Sequence, residues 1–331
     1  MSKIRILVLG SNSFAGSSFI NFCLEKRLKL IGVSRSKENN LFSFYKKNKF
    51  KKNFKFFQIN LNTDSDQEKL VKIIKANKIN IIVNFAAQGM VAESWVEPED
   101  WYNTNIVSSV AFINKLKVFK NRIKFINFST PEVYGNTKKI IKENNHFKPT
   151  TPYALSRATF DNHLFLLNKY QKFPVVITRA SNIFGPYQQL YRIIPKTIIS
   201  FFKGKKIILD GNGSSVRSFI YIDDVSNALL KICYNGKIGS TYHISTNNFI
   251  SIKELVKLIS LKMSAKKLIS LKKEDRLGKD FAYKLNSSFL RKSLKWKPLI
   301  ELQQGLDKTI NWISNDFAKL KKISTNYNHK K

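Results

Sequence analysis

Short aliphatic and β-branched runs alternate with amphipathic stretches through the first half of the chain. Residues 3–10 (KIRILVLG) read as a buried strand and 13–27 (SFAGSSFINFCLEKR) as a helix. Residues 29–36 and 53–61 predict second and third strands. The stretch 64–78 places apolar positions 70, 71, 73 and 74 on one helical face, and 79–87 predicts a fourth strand. A helix follows around 103–118. Strands at 122–130 and 173–180 then flank a helix from about 153 to 170. Strands alternating with helices of this length predict parallel βαβ units, hence an α/β fold with a doubly wound parallel sheet. Ligands of such sheets bind at the carboxyl ends of the strands. Beyond about residue 180 the pattern loosens, and 209–225 and 239–246 read as returns to a sheet. The expected organisation is one unit of residues 1–185 with 217–246, a smaller α/β lobe of 186–216 with 247–318, and a basic tail at 319–331.

Composition narrows this picture. The chain has 331 residues, 43% of them hydrophobic, enough for a large core. No apolar run approaches the roughly 18 residues of a membrane span, so no membrane partner is expected. The first apolar run stops at Gly10 and reads as a strand rather than a secretory leader. Cys23 and Cys233 have no paired spacing, which suggests a reducing, cytoplasmic setting. The four histidines form no metal-ligand pattern with them, and no metal is expected. The formal charge of +36 invites a nucleic-acid reading. However, 48 of the 58 basic residues are lysines scattered along the chain among Asn, Ile and Phe, a pattern of general compositional drift. A solvated basic surface follows, with no nucleic-acid partner expected.

Three groups of residues carry chemistry. Gly10-Ser11-Asn12-Ser13-Phe14-Ala15-Gly16 joins the first strand to the first helix. Glycines there permit a tight turn and let backbone N–H groups reach a pyrophosphate at the helix N-terminus, although a plain strand-to-helix turn has the same look. The usual middle glycine is replaced by Ser13. The second strand ends in Ser34-Arg35-Ser36, where an NAD site would place an acidic residue; a cation between two hydroxyls favours a 2′-phosphate and NADP, with NAD the alternative. Tyr153 and Arg157 stand four apart on one helix face. A tyrosine is a poor base at neutral pH, and a fixed cation favours its phenolate. With Thr130 bonding the same substrate hydroxyl, the pair can take a proton while hydride leaves the adjacent carbon for a nicotinamide.

With VLGSNSFAG, NFAAQ, Thr104-Asn105, STPEVYG, PYALSRA, SNIFGPYQQ, VRSFIYIDDV and DRLGKD, the chain resembles the extended short-chain dehydrogenase/reductase family over nearly its whole length, in the nucleotide-sugar 4,6-dehydratase branch (GDP-mannose and dTDP-glucose types). The resemblance implies a Rossmann dinucleotide-binding domain and a nucleotide-sugar lobe. It assigns Gly10, Asn12, Ser13, Phe14, Gly16, Ser34, Arg35, Ser36, Asn60, Leu61, Ala86, Ala87 and Gln88 to the cofactor, along with Tyr153 and Arg157. It assigns Glu93, Asn182, Arg192, Arg217 and Arg276 to the substrate. Arg157 stands where the family pattern has lysine. Glu132 resembles the glutamate of 4,6-dehydratases and of UDP-glucuronate decarboxylases, which in the former removes the C5 hydrogen once C4 is a ketone. The dTDP-glucose type places an aspartate before it, to protonate the departing C6 hydroxyl; here that position is Pro131. As in the GDP-mannose type, Glu132 is then expected to act as both base and acid. The resemblance implies a homodimer or dimer of dimers, paired through the helices near 103–118 and 153–170, and a place in deoxysugar and polysaccharide biosynthesis. A decarboxylase, a 4-epimerase and a catalytically silent sugar-nucleotide binder are the alternatives.

Overall fold

A computed structural model describes residues 4–39, 41–137, 139–265, 268–274 and 281–329. Its centre is a seven-stranded parallel sheet. In chain order the strands and helices of the first half are β1 (Ile6–Leu9), α1 (Phe14–Glu25), β2 (Leu30–Ser34), β3 (Phe54–Gln58), α2 (Asp64–Ala76), β4 (Ile81–Asn84), α3 (Pro98–Tyr102), α4 (Ser109–Leu116), β5 (Lys124–Ser129), α5 (Pro152–Gln171) and β6 (Val175–Ala180). The second half continues with β7 (Asn182–Phe184), α6 (Ile193–Phe202), β8 (Ile207–Asp210), β9 (Val216–Arg217), β10 (Phe219–Tyr221), α7 (Ile222–Asn235) and β11 (Thr241–Ile244). It closes with β12 (Ile250–Ser251), α8 (Ile252–Lys262), β13 (Ile269–Lys272), α9 (Ser288–Leu294) and α10 (Leu302–Leu320).

The sheet order is β11-β6-β5-β4-β1-β2-β3, so the winding reverses between β1 and β4. Ile6 faces Leu30 on one side and Ile81 on the other. The central strands are buried on both faces, as their continuous apolar runs require. Phe19, Ile20, Val225 and Leu229 of α1 and α7 pack one face, and Leu70, Phe112, Phe160 and Leu164 of α2, α4 and α5 pack the other. In α2, Leu70 and Ile74 are buried while Val71 and Ile73 are half-covered.

Two expectations are corrected. The stretch 209–225 does not return to the main sheet: β10 pairs with β7, β9 with β12 and β8 with β13 in three two-stranded ribbons. At Ile222 the chain turns into α7, whose amphipathic face sits over the sheet instead. Of the two segments, 239–246 alone joins the sheet, through β11 against β6. The helix expected over 103–118 begins at Pro98, and residues Asn103–Ser108 form a π turn within it. No helix among the described residues is long and apolar enough to cross a membrane.

Candidate active site

The crevice where the winding reverses opens between the turns that follow β1 and β4. Gly10 has φ +73°, and a Cβ there would lie 2.7 Å from the Ala86 nitrogen, so glycine is required for the turn to pass this close to β4. A Cβ on Gly16 would lie 2.4 Å from the Gly10 carbonyl oxygen. Ser13 needs no positive φ; its Oγ accepts from Gly16 N at 3.0 Å and caps α1, which accounts for serine at this position. Asn12 ties the turn to the end of β2. Its backbone N–H donates to Ser34 Oγ (3.0 Å) and its side-chain amide to the Ser36 carbonyl (2.7 Å). Phe14 is buried as the first residue of α1. Ser11 is buried beside this turn, with an Oγ that has no hydrogen-bond partner among the described residues.

A cavity of about 280 Å³ continues the crevice, lined by Arg35, Asn62, Gln88, Thr104 and Val107 among others. The loop carrying Asn60 and Leu61 borders it: Asn60 N–H donates to Asp66, the Leu61 carbonyl accepts from Gln67, and Asn62 donates to Thr104 Oγ1. Arg35 reaches across the crevice to Gln88 Oε1 at 3.4 Å. Ala86 and Ala87 lead from β4 to Gln88. A tight glycine turn at a helix N-terminus, a buried hydroxyl without a partner among the described residues and a polar cavity that carries Arg35 together fit a dinucleotide.

The reactive groups gather at the end of β5. Thr130 caps the short 3₁₀ turn Pro131–Tyr134, its Oγ1 accepting from Glu132 N at 3.3 Å, and Pro131 is its first residue. Proline is favoured there because the missing N–H would go unbonded in any case. Gly135, with φ +64°, closes the turn against the Lys148 carbonyl, where a Cβ would lie 2.2 Å from that oxygen. Helix α5 starts with a Thr151 cap and Pro152, which puts Tyr153 in its first turn and Arg157 one turn on. The Thr130 hydroxyl lies close enough to the Tyr153 phenol to favour its phenolate. Burial lifts the Tyr153 phenol above its ordinary value and the Glu132 carboxylate lifts it further; Arg157, the Thr130 hydroxyl and Arg192 pull it back. Arg157 is buried, donates from Nη2 to the Phe128 carbonyl (2.7 Å), and leaves Nε without a partner among the described residues. Its longer side chain therefore anchors on β5 while its charge acts on the tyrosine.

Several supporting residues escaped the sequence reading. Ser94 accepts from Tyr153 N at 3.1 Å. Asn105, turned inward by the π turn, bonds both the N–H and the carbonyl of Gln88 and donates to Ser156 Oγ (2.9 Å); Ser156 in turn donates to the Tyr153 carbonyl. The Thr104-Asn105 dipeptide is visible in the sequence, but the two serines leave no local pattern.

The expected substrate residues divide. Arg192 stands exposed at the start of α6, close enough to act on Tyr153. Glu93 lies half-buried in a turn on the same rim, and Asn182 opens β7. Arg217 donates from Nη1 to the Val216 and Phe281 carbonyls, both at 2.8 Å, and its guanidinium lies 4.3 Å from the Tyr283 ring centre. Arg276 lies outside the described residues. The segment after α10 folds back over the crevice. Gln88 Nε2 donates to Tyr327 Oη (3.1 Å) and lies 3.1 Å from His329 Nδ1. His329 Nε2 meets Asp100 at 2.6 Å, and its ring stacks on Trp101.

Residues 7–309 match the family model described as GDP-mannose 4,6 dehydratase. The dTDP-D-glucose 4,6-dehydratase of Homo sapiens is 32% identical over 96% of this chain and 92% of its own length. The crystal structure of dTDP-glucose 4,6-dehydratase from Bacillus anthracis in complex with NAD superposes with a TM-score of 0.85 at 29% identity, covering 95% of this chain and 98% of that one. The dTDP-glucose 4,6-dehydratase DesIV of Streptomyces venezuelae, solved with NAD and TYD, shares the fold with a TM-score of 0.88 at 23% identity, over 96% of this chain and 98% of that one.

Proposed function

The chain belongs to the GDP-mannose 4,6-dehydratase family, in the nucleotide-sugar branch of the extended short-chain dehydrogenases/reductases, and from that premise we propose that it converts an NDP-hexose to the NDP-4-keto-6-deoxy sugar. The observation that supports this most is the convergence of Thr130, Glu132, Tyr153 and Arg157 at one strand end. A bound nicotinamide dinucleotide would take up the C4 hydride and return it to C6. Gly10, Asn12, Ser13, Phe14, Gly16, Ser34, Ser36, Asn60, Leu61, Ala86 and Ala87 would hold it, and Arg35 favours NADP over the NAD named for the solved relatives.

Tyr153 takes the proton of the C4 hydroxyl while Thr130 holds that oxygen and Arg157 favours the phenolate. Glu132 then removes the C5 proton, acidified by the new ketone, and gives a proton to the C6 hydroxyl as it leaves as water. Because Pro131 cannot donate a proton, both roles fall to Glu132. Arg192, Glu93 and Asn182 are the proposed substrate contacts on the rim. The exposed stripe Leu155, Leu166 and Tyr170 on α5, beside Val107 and Val118 next to α4, is the proposed homodimer face. Two free, buried thiols support a cytoplasmic setting.

Mass spectrometry of the protein with NADP or NAD and a panel of dTDP-, GDP-, UDP- and CDP-hexoses in heavy water tests the reading. A product lighter by one water, with one solvent deuterium at C5, is expected; dTDP-glucose is the first donor to try. Loss of carbon dioxide from a uronate, inversion at C4 without dehydration, or no product from any donor would overturn it.

A further inference from the structure

A fully buried ion pair lies directly beneath the proposed catalytic turn. Asp161 of α5 and Arg179 of β6 meet at 2.8 Å and are both sealed from solvent. Asp161 accepts from Ser129 Oγ (2.7 Å) and from Asn127 Nδ2 (2.9 Å). Arg179 donates from Nη1 to Tyr134 Oη and to the Asn144 carbonyl. Ser129 and Tyr134 are the residues on either side of Thr130–Val133. The chain of donors continues in one direction. Tyr134 Oη lies 2.8 Å from His243 Nε2, and His243 Nδ1 lies 3.2 Å from the Asn286 carbonyl. Burial and the Arg179 charge hold His243 neutral, down at about 3, so Nδ1 carries the hydrogen and Nε2 accepts from the phenol. Asp161 is also one turn beyond Arg157 and two beyond Tyr153 on α5.

We propose that Asp161 and Arg179 are positioning residues, a clamp that holds both flanks of the 130–134 turn and sets Glu132 against Tyr153. This rests on the dehydratase reading. Breaking the pair itself strands a buried charge and can unfold the chain, so the decisive variants are Ser129→Ala and Tyr134→Phe, each releasing one flank. Each is expected to slow water loss about tenfold. The sharper readout is the rising limb of the pH profile of C4 oxidation, followed by reduced nicotinamide, since that limb reports deprotonation of the base Tyr153. Glu132 acts on Tyr153 more strongly than Thr130 does and in the opposite sense. A loosened turn therefore moves the limb to lower pH in the wild-type background and to higher pH in the Glu132→Gln background. Lower stability with an unmoved limb would make the pair merely structural and overturn the proposal. A wild-type protein without dehydratase activity would overturn the underlying reading and the clamp with it.

A separate observation concerns the segment after α10. Tyr327 and His329 engage Gln88, whose Oε1 is held by Arg35, while Tyr327 packs edge-on against Tyr191 and His329 is anchored by Asp100 and Trp101. This segment therefore crosses from one rim of the crevice to the other, over the track a dinucleotide takes in the reading above. We infer that it is an internal competitor for the cofactor, which binds in exchange for Tyr327 and His329. Calorimetric titration of NADP and of NAD into the full chain and into the Tyr327→Ala/His329→Ala double variant tests this. Affinity is expected to rise about tenfold in the variant, since removing a competing state returns the competent fraction. Equal or weaker binding by the variant would overturn the competitor alone. No dinucleotide binding by either chain would overturn the cofactor reading and the competitor together.

Discussion

Tyr153 sits between a carboxylate and two guanidinium groups, and its titration reports on all three. After burial, the Glu132 charge is what most opposes the phenolate, so Glu132→Gln should move the rising limb of C4 oxidation to lower pH. It should also abolish solvent deuterium uptake at C5 and slow water loss by about 10²–10⁴-fold. Arg157→Met should move the same limb to higher pH and lower the rate by about 10²-fold, whereas Arg157→Lys, which keeps the charge, should stay within about tenfold of wild type. Product mass and stopped-flow absorbance against pH check both sets. Tyr153 and Arg157 were legible in the sequence because helical spacing alone puts them on one face. Ser94, Ser156 and the Asp161–Arg179 pair were not, because their partners lie 18 to 59 residues away or on the backbone, where no periodicity records them.

At the scale of elements, the glycine turn after β1 is decided by backbone geometry. Gly10→Ala must hold a left-handed φ, at a cost of about 1–2 kcal/mol, and push a Cβ into the β4 backbone. Thermal stability should fall and dinucleotide binding should be lost, as melting and titration calorimetry would show. The start of α7 offers a different test. Burial chiefly, with Glu25 and Asp224 adding to it, raises Asp223 to about 6 from 3.8, while Lys308 opposes them. A carboxyl raised on folding binds its proton more tightly in the native state, so stability declines as pH rises from about 4 to about 6 and stays reduced above that. Asp223→Asn removes this penalty. It should stabilise the protein at pH 8 by up to about 3 kcal/mol, with the advantage vanishing near pH 4, measured by denaturant unfolding. The start of α7, Ile222–Val225, fell within the stretch 209–225 read as strand, since Phe219–Tyr221 are β-forming and the local pattern does not say that they pair off the main sheet.

Over the whole molecule, Leu155, Leu166 and Tyr170 leave apolar side chains exposed along α5, the face proposed above for the homodimer. Sedimentation velocity should find a homodimer, and Leu166→Glu, at 55% exposure in the single chain, should shift it towards monomer without lowering the melting temperature of the protomer. A monomeric wild type would remove the dimer from the account. The formal charge of +36 is distributed over a surface whose acidic partners are few.

Strand and helix periodicity, the glycine turn and the Tyr-Arg spacing were determined by the sequence alone, because each depends on residues within one or two turns of one another. The placement of Glu132 against Tyr153 was decided only in the tertiary structure, by Ser129 and Tyr134 bonding a buried pair drawn from α5 and β6. So was the return of Tyr327 and His329 to Gln88, some 240 residues back along the chain. A local pattern can state which face of an element is apolar. Which polar groups meet once those faces are buried depends on how the layers stack, and in this chain the orientation of the site depends on those meetings.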